Sequence, residues 1–200
     1  ATGKPLFLST GMSYLHEIEA ALKEIEPLNK KVILMQCTAN YPIQDDEANL
    51  NVIKTFQKEF NILTGYSDHS VGIGAAPYAV PMGVCMVEKH FTIDKGAKGP
   101  DHLASLDPNE LKELVKEIRR IEQFLGKEEK KPTASEIETR KSLQKCLVAK
   151  SPIKKGESIT EAQLIAKRTG GIGISPIRYK EVIGTVAEKD YSANDIIELK

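Results

Sequence analysis

The chain has 200 residues and a mass of 22.1 kDa, enough for one large domain or two small ones. Its 28 basic residues balance its 28 acidic residues, which excludes the strong positive field that draws proteins to nucleic acids and anionic membranes. No apolar run approaches the roughly 18 residues of a membrane-spanning helix. We therefore expect a globular protein with neither a nucleic-acid nor a membrane partner.

The chain contains three cysteines, Cys37, Cys85 and Cys146, widely spaced in apolar surroundings. An odd number of such residues is typical of reduced core thiols in a cytoplasmic protein rather than of a disulfide framework. The first residue is Ala1 rather than Met, and a strand is predicted from residue 5 onward. We therefore expect that Ala1 is not the natural start of the protein.

Short apolar runs alternate with longer amphipathic segments over the first 125 residues. The apolar runs predict strands at residues 5–9, 32–37, 62–66 and 84–88. The amphipathic segments predict helices at residues 14–26, 47–60, 72–82 and 108–125. This alternation indicates four βα units, which form either a small open parallel sheet or half of an eight-stranded barrel.

The fourth predicted helix begins and ends at clear signals. Asp107 is a candidate N-cap, Pro108 suits the first helical position, Glu110 completes a capping box and Gly126 ends the helix. A charged segment without apolar periodicity follows and predicts a linker at residues 127–140. Short extended runs separated by turn-rich pieces then predict a small β-rich domain at 141–200, after a first domain at 1–126.

Histidines follow the ends of two neighbouring predicted strands. His69 comes after the third strand and His90 ends the fourth, where α/β folds place their active sites. The two-residue period of a strand puts Ser67 on the face of His69 and Glu88 on the face of His90. Two imidazoles suit a divalent ion that keeps positions open for substrate oxygens, although histidines at strand ends are also often hydrogen-bonded structural groups.

Further polar residues are candidates for the same region. A carboxylate such as Glu88 is costly to bury at a strand end unless it is paired or reactive, and the loop at 95–102, which contains Asp101, is either an active-site loop or a solvated turn. Ser9 follows the first strand and could bind an anion or belong to a capped turn. Arg168 is a candidate anion or sugar ligand or a solvated arginine, whereas Cys37 is interpreted as a packing residue.

Several segments together resemble the N-acetylneuraminate (sialic acid) synthase family. The resemblance rests on Ser-Thr-Gly-Met at 9–12, Gly-Tyr-Ser-Asp-His-Ser at 65–70, Val-Glu-Lys-His-Phe-Thr at 87–92 and Gly-Pro-Asp-His at 99–102, with Ser105 and Pro108 beyond. It continues at 154–157 and 167–170, which are similar to the antifreeze-like SAF domain that ends these proteins. Essentially the whole chain is covered.

The resemblance implies a (β/α)8 TIM barrel followed by a SAF domain. It implies a transferase that condenses phosphoenolpyruvate with an N-acylated hexosamine to give a nine-carbon 2-keto sugar acid and phosphate. A divalent metal, Mn²⁺ or else Mg²⁺ or Co²⁺, would be bound by His69 and His90, and Glu88 and Asp101 would handle protons or the attacking water. Substrate would be bound at three positions of this chain, Ser9, Ser67 and, across a domain-swapped homodimer, Arg168.

The chain departs from the family pattern at two points. Thr169 stands where a proline usually follows the SAF arginine, and the chain begins at what would be the fifth βα unit, so we expect the C-terminal part of a longer synthase. The sequence leaves the acceptor open among N-acetylmannosamine, its 6-phosphate and a 2,4-diacetamido trideoxyhexose of the legionaminate type. A metal-dependent aldolase and a non-catalytic sugar-binding fragment are the competing hypotheses.

Overall fold

The computed structural model describes residues 3–199, which form two compact units that divide between Lys127 and Glu128. Ala1, on which the expectation of a missing start depends, and Lys200, the end of the predicted second domain, lie outside the described residues. The first unit holds a four-stranded parallel sheet in sequence order. Its strands are β1 (Leu6–Ser9), β2 (Val32–Cys37), β3 (Leu63–Asp68) and β4 (Met86–Lys89).

The helices that alternate with the strands cover one face of this sheet. They are α1 (Leu15–Ile25), α2 (Val52–Phe60), α3 (Ala76–Ala79) and α4 (Pro108–Leu125). Ile18 and Phe56 pack with Leu34 of β2 in one buried cluster, and Leu114 packs with Tyr66 of β3 in another. A parallel sheet in sequence order with helices on one side confirms the half-barrel architecture. Within residues 3–199 no helix is long and apolar enough to cross a membrane.

The third helix is much shorter than the predicted segment at 72–82. Gly72 and Gly74 adopt φ values of +63° and +50°, a left-handed conformation that an α-helix excludes. The helix α3 therefore begins only at Ala76, and a single 3₁₀ turn from Val80 to Met82 continues it.

Strand alternation separates two sets of side chains. Leu34 and Tyr66 point toward the helices, so Ser67, one residue further along β3, points to the opposite face. The register pairs Ser67 with Glu88 and Asp68 with Lys89. The carboxyl ends of β3 and β4 therefore lie side by side at one edge of the sheet.

The predicted linker at 127–140 is partly helical. The helix α5 (Ala134–Leu143) begins after Thr133, whose hydroxyl accepts a hydrogen bond from the Glu136 amide, while the Glu136 carboxylate accepts one from the Thr133 amide. All residues of α5 are exposed. A helix without a buried face has no apolar periodicity, which is why the sequence pattern did not predict it.

The second unit contains the predicted small β structure. Antiparallel strands β5 (Lys145–Ala149) and β6 (Leu164–Arg168) precede a one-turn helix, α6 (Tyr179–Val182). The buried core includes Leu147, Ile153 and Ile197. Two further segments of this unit form isolated bridges rather than strands, between Val186 and Ser158 and between Ile196 and Val148.

The three cysteines are free, but they do not share one environment. Cys37 and Cys146 are buried, as expected of core thiols. Cys85 is exposed, and for this residue the expectation was wrong. It directly precedes β4, which forms one edge of the sheet, so less of the protein covers it.

Candidate active site

The ends of β3 and β4 bring His69 and His90 together. Their ring centroids are 5.3 Å apart, and the two planes meet edge to face at 84°. Each histidine directly follows the last residue of its strand. Parallel register and strand alternation thus place both imidazoles on the face opposite the helices.

A backbone hydrogen bond fixes which nitrogen of His69 carries hydrogen. Its Nδ1 lies 2.8 Å from the carbonyl oxygen of Thr38, and because that oxygen can only accept, Nδ1 donates. Burial lowers the pKa of His69, while the bond to Thr38 opposes that shift. The favoured form is a neutral ring whose Nε2 lone pair is available, which is the state that binds metal ions.

Ser67 and Glu88 form a hydrogen-bonded pair beside the imidazoles. The Ser67 hydroxyl donates to Glu88 Oε1 at 2.7 Å, and its oxygen lies 3.5 Å from His69 Nε2. Glu88 is exposed, whereas the sequence argument assumed a buried carboxylate. The reason is that no element of residues 3–199 covers this face of β4 next to Glu88.

Asp101 reaches the site from the loop after β4. Its Oδ2 lies 4.0 Å from His90 Nδ1, and its side chain is half exposed. The structure therefore brings together five of the residues that the sequence singled out, namely Ser67, His69, Glu88, His90 and Asp101.

Tyr41 lies against both imidazoles, and sequence reasoning gave it no role. Its ring centroid is 4.0 Å from that of His69 and 5.1 Å from that of His90. Burial raises the pKa of the phenol, and the negative charges of Asp101 and Glu88 contribute to the shift. The available signal was its position in the polar segment that follows β2, the strand adjacent to β3.

Cys37 is close to His69 but is not activated by it. Its Sγ lies 3.8 Å from His69 Nδ1. That nitrogen already directs its hydrogen to the Thr38 carbonyl, so it is not free to accept the thiol proton. The geometry supports the interpretation of Cys37 as a packing residue.

A buried ion pair lies behind the site, on the helix side of the sheet. Lys89 Nζ is 3.1 Å from Asp68 Oδ2, and the two side chains are 4% and 0% exposed. Burial lowers the pKa of Lys89, while the Asp68 carboxylate raises it. The sequence offered no signal for the pair, because only the register shows that the two residues are neighbours.

Three other polar residues have the following positions within their own units. Ser9 is exposed at the end of β1, level in register with Met35 and so with Gly65 rather than with Ser67. Arg168 is exposed at the end of β6, in the second unit. His102 lies in the loop rather than at a strand end, and its Nδ1 is 2.8 Å from the Thr92 hydroxyl oxygen.

The chain's own groups fit a metal centre with two protein ligands. Among residues 3–199, no cluster of three or more His, Cys, Asp or Glu residues is arranged to hold a metal ion. The imidazoles of His69 and His90 are nevertheless close enough to share one ion, and the Thr38 carbonyl directs the hydrogen of His69 to Nδ1 and away from Nε2. Such a centre leaves positions for water or substrate oxygens.

Family models match both units of the chain. Residues 1–130 match the NeuB family and residues 144–200 match the SAF domain. The chain is 43% identical over 197 residues to N,N'-diacetyllegionaminic acid synthase of Campylobacter jejuni, a match that covers 97% of this chain and 59% of the relative. It is 37% identical over 202 residues to N-acetylneuraminate-9-phosphate synthase of Mus musculus, covering 98% of this chain and 56% of the relative.

A solved structure is also similar. The N-acetylneuraminic acid (sialic acid) synthetase of Leptospira borgpetersenii, crystallised with citrate, superimposes with a TM-score of 0.63 at 39% identity. The match covers 70% of this chain and 50% of that structure. The chain thus spans between half and three fifths of the length of these proteins.

Proposed function

Because the chain belongs to the NeuB family and carries a SAF domain, we propose that the enzyme containing it is a nonulosonic acid synthase. This enzyme condenses phosphoenolpyruvate with the open-chain aldehyde of an N-acylated hexosamine and releases phosphate. The observation that carries the proposal is the pair of imidazoles with ring centroids 5.3 Å apart, beside the hydrogen-bonded Ser67 and Glu88.

His69 and His90 hold a divalent metal ion in this proposal, with Mn²⁺ first and Mg²⁺ or Co²⁺ as alternatives. A bound ion of this kind supplies Lewis-acid polarisation of the acceptor's aldehyde oxygen. His69 is suited to the role because the Thr38 carbonyl keeps Nδ1 protonated and leaves Nε2 free. His90 completes the pair from the neighbouring strand.

The carboxylates handle protons in the proposed reaction. The methylene carbon of phosphoenolpyruvate attacks the aldehyde carbon, whose oxygen takes up a proton, and water then adds to the carbon that bears the phosphate. Glu88 or Asp101 accepts a proton from this water. The carbon–oxygen bond to the phosphate then breaks, the phosphate leaves with its bridging oxygen, and the hydroxyl left on that carbon passes its proton to the phosphate and becomes the 2-keto group. Glu88 is the better placed of the two to act near Ser67, since the two side chains are hydrogen-bonded at 2.7 Å.

The hydroxyls of Ser67 and Ser9 bind phosphoenolpyruvate in this proposal. Ser67 supports it by its position, since its oxygen is also 3.5 Å from His69 Nε2. Ser9 lies on the same open face, two strands away. The assignment of Ser9 rests on the resemblance alone.

The identity of the acceptor sugar is the part of the proposal that stays open, because relatives named for two different products are similar to this chain. A relative named for diacetyllegionaminic acid is 43% identical to this chain, and one named for N-acetylneuraminate 9-phosphate is 37% identical. We therefore propose three candidate acceptors, which are N-acetylmannosamine, its 6-phosphate and a 2,4-diacetamido trideoxyhexose.

The experiment is a phosphate-release assay with the complete protein, phosphoenolpyruvate, Mn²⁺ and each acceptor in turn. The proposal expects phosphate and a 2-keto sugar acid in equal amounts, with one of the sugars strongly preferred. Cleavage of the sugar acid without any phosphoenolpyruvate chemistry would identify an aldolase instead. Binding of a sugar without turnover would identify a non-catalytic module.

A further inference from the structure

Asp68 and Lys89 lie where the backbone ladder between β3 and β4 ends. They are the last residues of their strands and pair with each other in the register. His69 and His90 directly follow them. Contacts beyond the end of the ladder must therefore set the distance between the two imidazoles.

Lys89 contacts the residues on both sides of His69, the side chain of Asp68 and the backbone of Ser70. Its Nζ lies 3.1 Å from Asp68 Oδ2, and it also donates to the carbonyl oxygen of Ser70. One ammonium group, on the residue before His90, thus holds the residues before and after His69. The connection crosses from one strand end to the other.

The Asp68 carboxylate fixes the turn that follows His69. Its Oδ1 accepts hydrogen bonds from the Ser70 amide at 2.9 Å and from the Ser70 hydroxyl at 2.5 Å. Its Oδ2 accepts from the Ala76 amide at 3.0 Å. The carboxylate is fully buried and fully satisfied, so the path of the chain from 68 to 76 is tightly specified.

Stability alone is a weak explanation for such a pair. A buried ion pair contributes little compared with apolar side chains of the same volume, because removing two charges from water is costly. Fixing one arrangement is an effect that apolar side chains do not reproduce. The arrangement fixed here is the one that sets two imidazoles side by side on the opposite face of the sheet.

We infer that Asp68 and Lys89 are positioning residues that hold His69 and His90 at the separation needed to share one metal ion. The inference rests on the proposed function, which makes the two histidines the metal ligands. Two ligand bonds of roughly 2.0 to 2.3 Å each tolerate little change in that separation. Neither Asp68 nor Lys89 touches the metal or the substrate.

The test is Mn²⁺ binding by the complete protein that carries Asp68→Asn together with Lys89→Met. The double substitution removes both charges, so no unpaired charge stays buried. The melting temperature is measured on the same samples. We expect the Kd for Mn²⁺ to rise about ten- to a hundredfold, as for other residues that orient metal ligands.

Gln57→Leu is the matched control. Gln57 donates to Thr64 Oγ1 at 3.1 Å and to the Met82 carbonyl at 3.0 Å, and so connects the opposite end of β3 to the segment before β4. Its loss should lower the melting temperature and leave the Kd for Mn²⁺ unchanged. A positioning role and a merely structural role therefore give different results.

Ser70→Ala is a milder variant for the case in which the double variant does not fold. It removes the Ser70 hydroxyl that donates to Asp68 and accepts from the Ala75 amide, and keeps the ion pair. A several-fold rise in the Kd for Mn²⁺ is expected. An unchanged Kd in the folded double variant, or in Ser70→Ala if that alone folds, overturns the inference while the proposed function stands. A wild-type protein that binds none of Mn²⁺, Mg²⁺ and Co²⁺ overturns both.

Discussion

His69 shows how a single backbone contact can set the chemical state of a side chain. The Thr38 carbonyl accepts the Nδ1 hydrogen, and burial favours the neutral ring, so Nε2 is left as a ligand atom. Glu88 differs from His69 in its surroundings, because its carboxylate is exposed and accepts a hydrogen bond from the Ser67 hydroxyl.

At this scale we expect Glu88→Gln in the complete enzyme to lower kcat by about 10² to 10⁴ and to leave the KM for phosphoenolpyruvate nearly unchanged. The amide oxygen can still accept the hydrogen bond from Ser67, so the substitution removes the proton acceptor and little else. Steady-state kinetics check this. Glu113→Gln, an exposed position on α4, is the control and should behave as wild type. Turnover near the wild-type rate would remove Glu88 from the mechanism.

Sequence reasoning predicted the histidine pair for a definite physical reason. Strands of parallel βα units end at one edge, and the two-residue period fixes the face, so neighbouring strands bring His69 and His90 together. Tyr41 and Lys89 could not be assigned in this way. Tyr41 lies on a loop whose path has no period, and the contact of Lys89 with Asp68 requires the register between two strands.

Hydrogen bonds at the start of α4 hold the loop that follows β4. Asp107 accepts hydrogen bonds from the amides of Asn109 and Glu110, as the capping pattern predicted. Glu110 accepts from the Asp107 amide and is contacted by Lys95 Nζ at 2.8 Å through both oxygens. The capping box of α4 was recognised because an amphipathic segment follows it, whereas the same signal at Thr133 and Glu136 precedes the fully exposed α5 and was missed.

The Glu110 carboxylate should make folding stability depend on acidic pH. Hydrogen bonds from Lys95 and from the Asp107 amide lower the pKa of Glu110 below its usual value. The unfolded chain therefore binds the proton first, so the stabilisation is complete above the ordinary glutamate pKa and is lost as pH falls through the lowered value. As pH falls from about 7 through the acidic range in which glutamate carboxyls take up protons, we expect the stability advantage of wild type over Glu110→Gln, about 0.5 to 1 kcal/mol at neutral pH, to shrink.

Denaturant unfolding of the two proteins across that pH range measures this advantage directly. Glu122→Gln is the control, because Glu122 is paired with Arg119 on the exposed surface of α4, far along the helix from the cap. A difference between wild type and Glu110→Gln that stays constant with pH would show that the capping contacts do not depend on the charge of Glu110.

The second unit has its own buried core, and Arg168 is exposed at its surface. By resemblance, we propose that this guanidinium completes the sugar site of a partner subunit in a domain-swapped homodimer. Arg168→Ala should then raise the KM for the acceptor and leave the KM for phosphoenolpyruvate almost unchanged.

Mixing Arg168→Ala subunits with His90→Ala subunits tests the dimer itself. The assay uses an acceptor concentration well below the KM of Arg168→Ala, at which that variant alone is nearly inactive. Half of the randomly mixed dimers contain one subunit of each kind, and each of these has one complete site, so up to about a quarter of wild-type activity should return. Lys167→Ala in place of Arg168→Ala is the control. The activity of its mixture with His90→Ala should equal the sum of the activities of the two proteins measured separately. If mixed dimers form and no activity returns, Arg168 acts in its own subunit or in no site at all.

We propose that His69 and His90 together hold one divalent metal ion. Mn²⁺ titration of the complete protein by calorimetry tests it most directly, with His16→Ala as the control because His16 is exposed on α1. We predict one Mn²⁺ per chain, a rise in Kd of more than about 10² for either His69→Ala or His90→Ala, and no change for His16→Ala. Wild-type Mn²⁺ affinity in either of the two site variants would contradict the account.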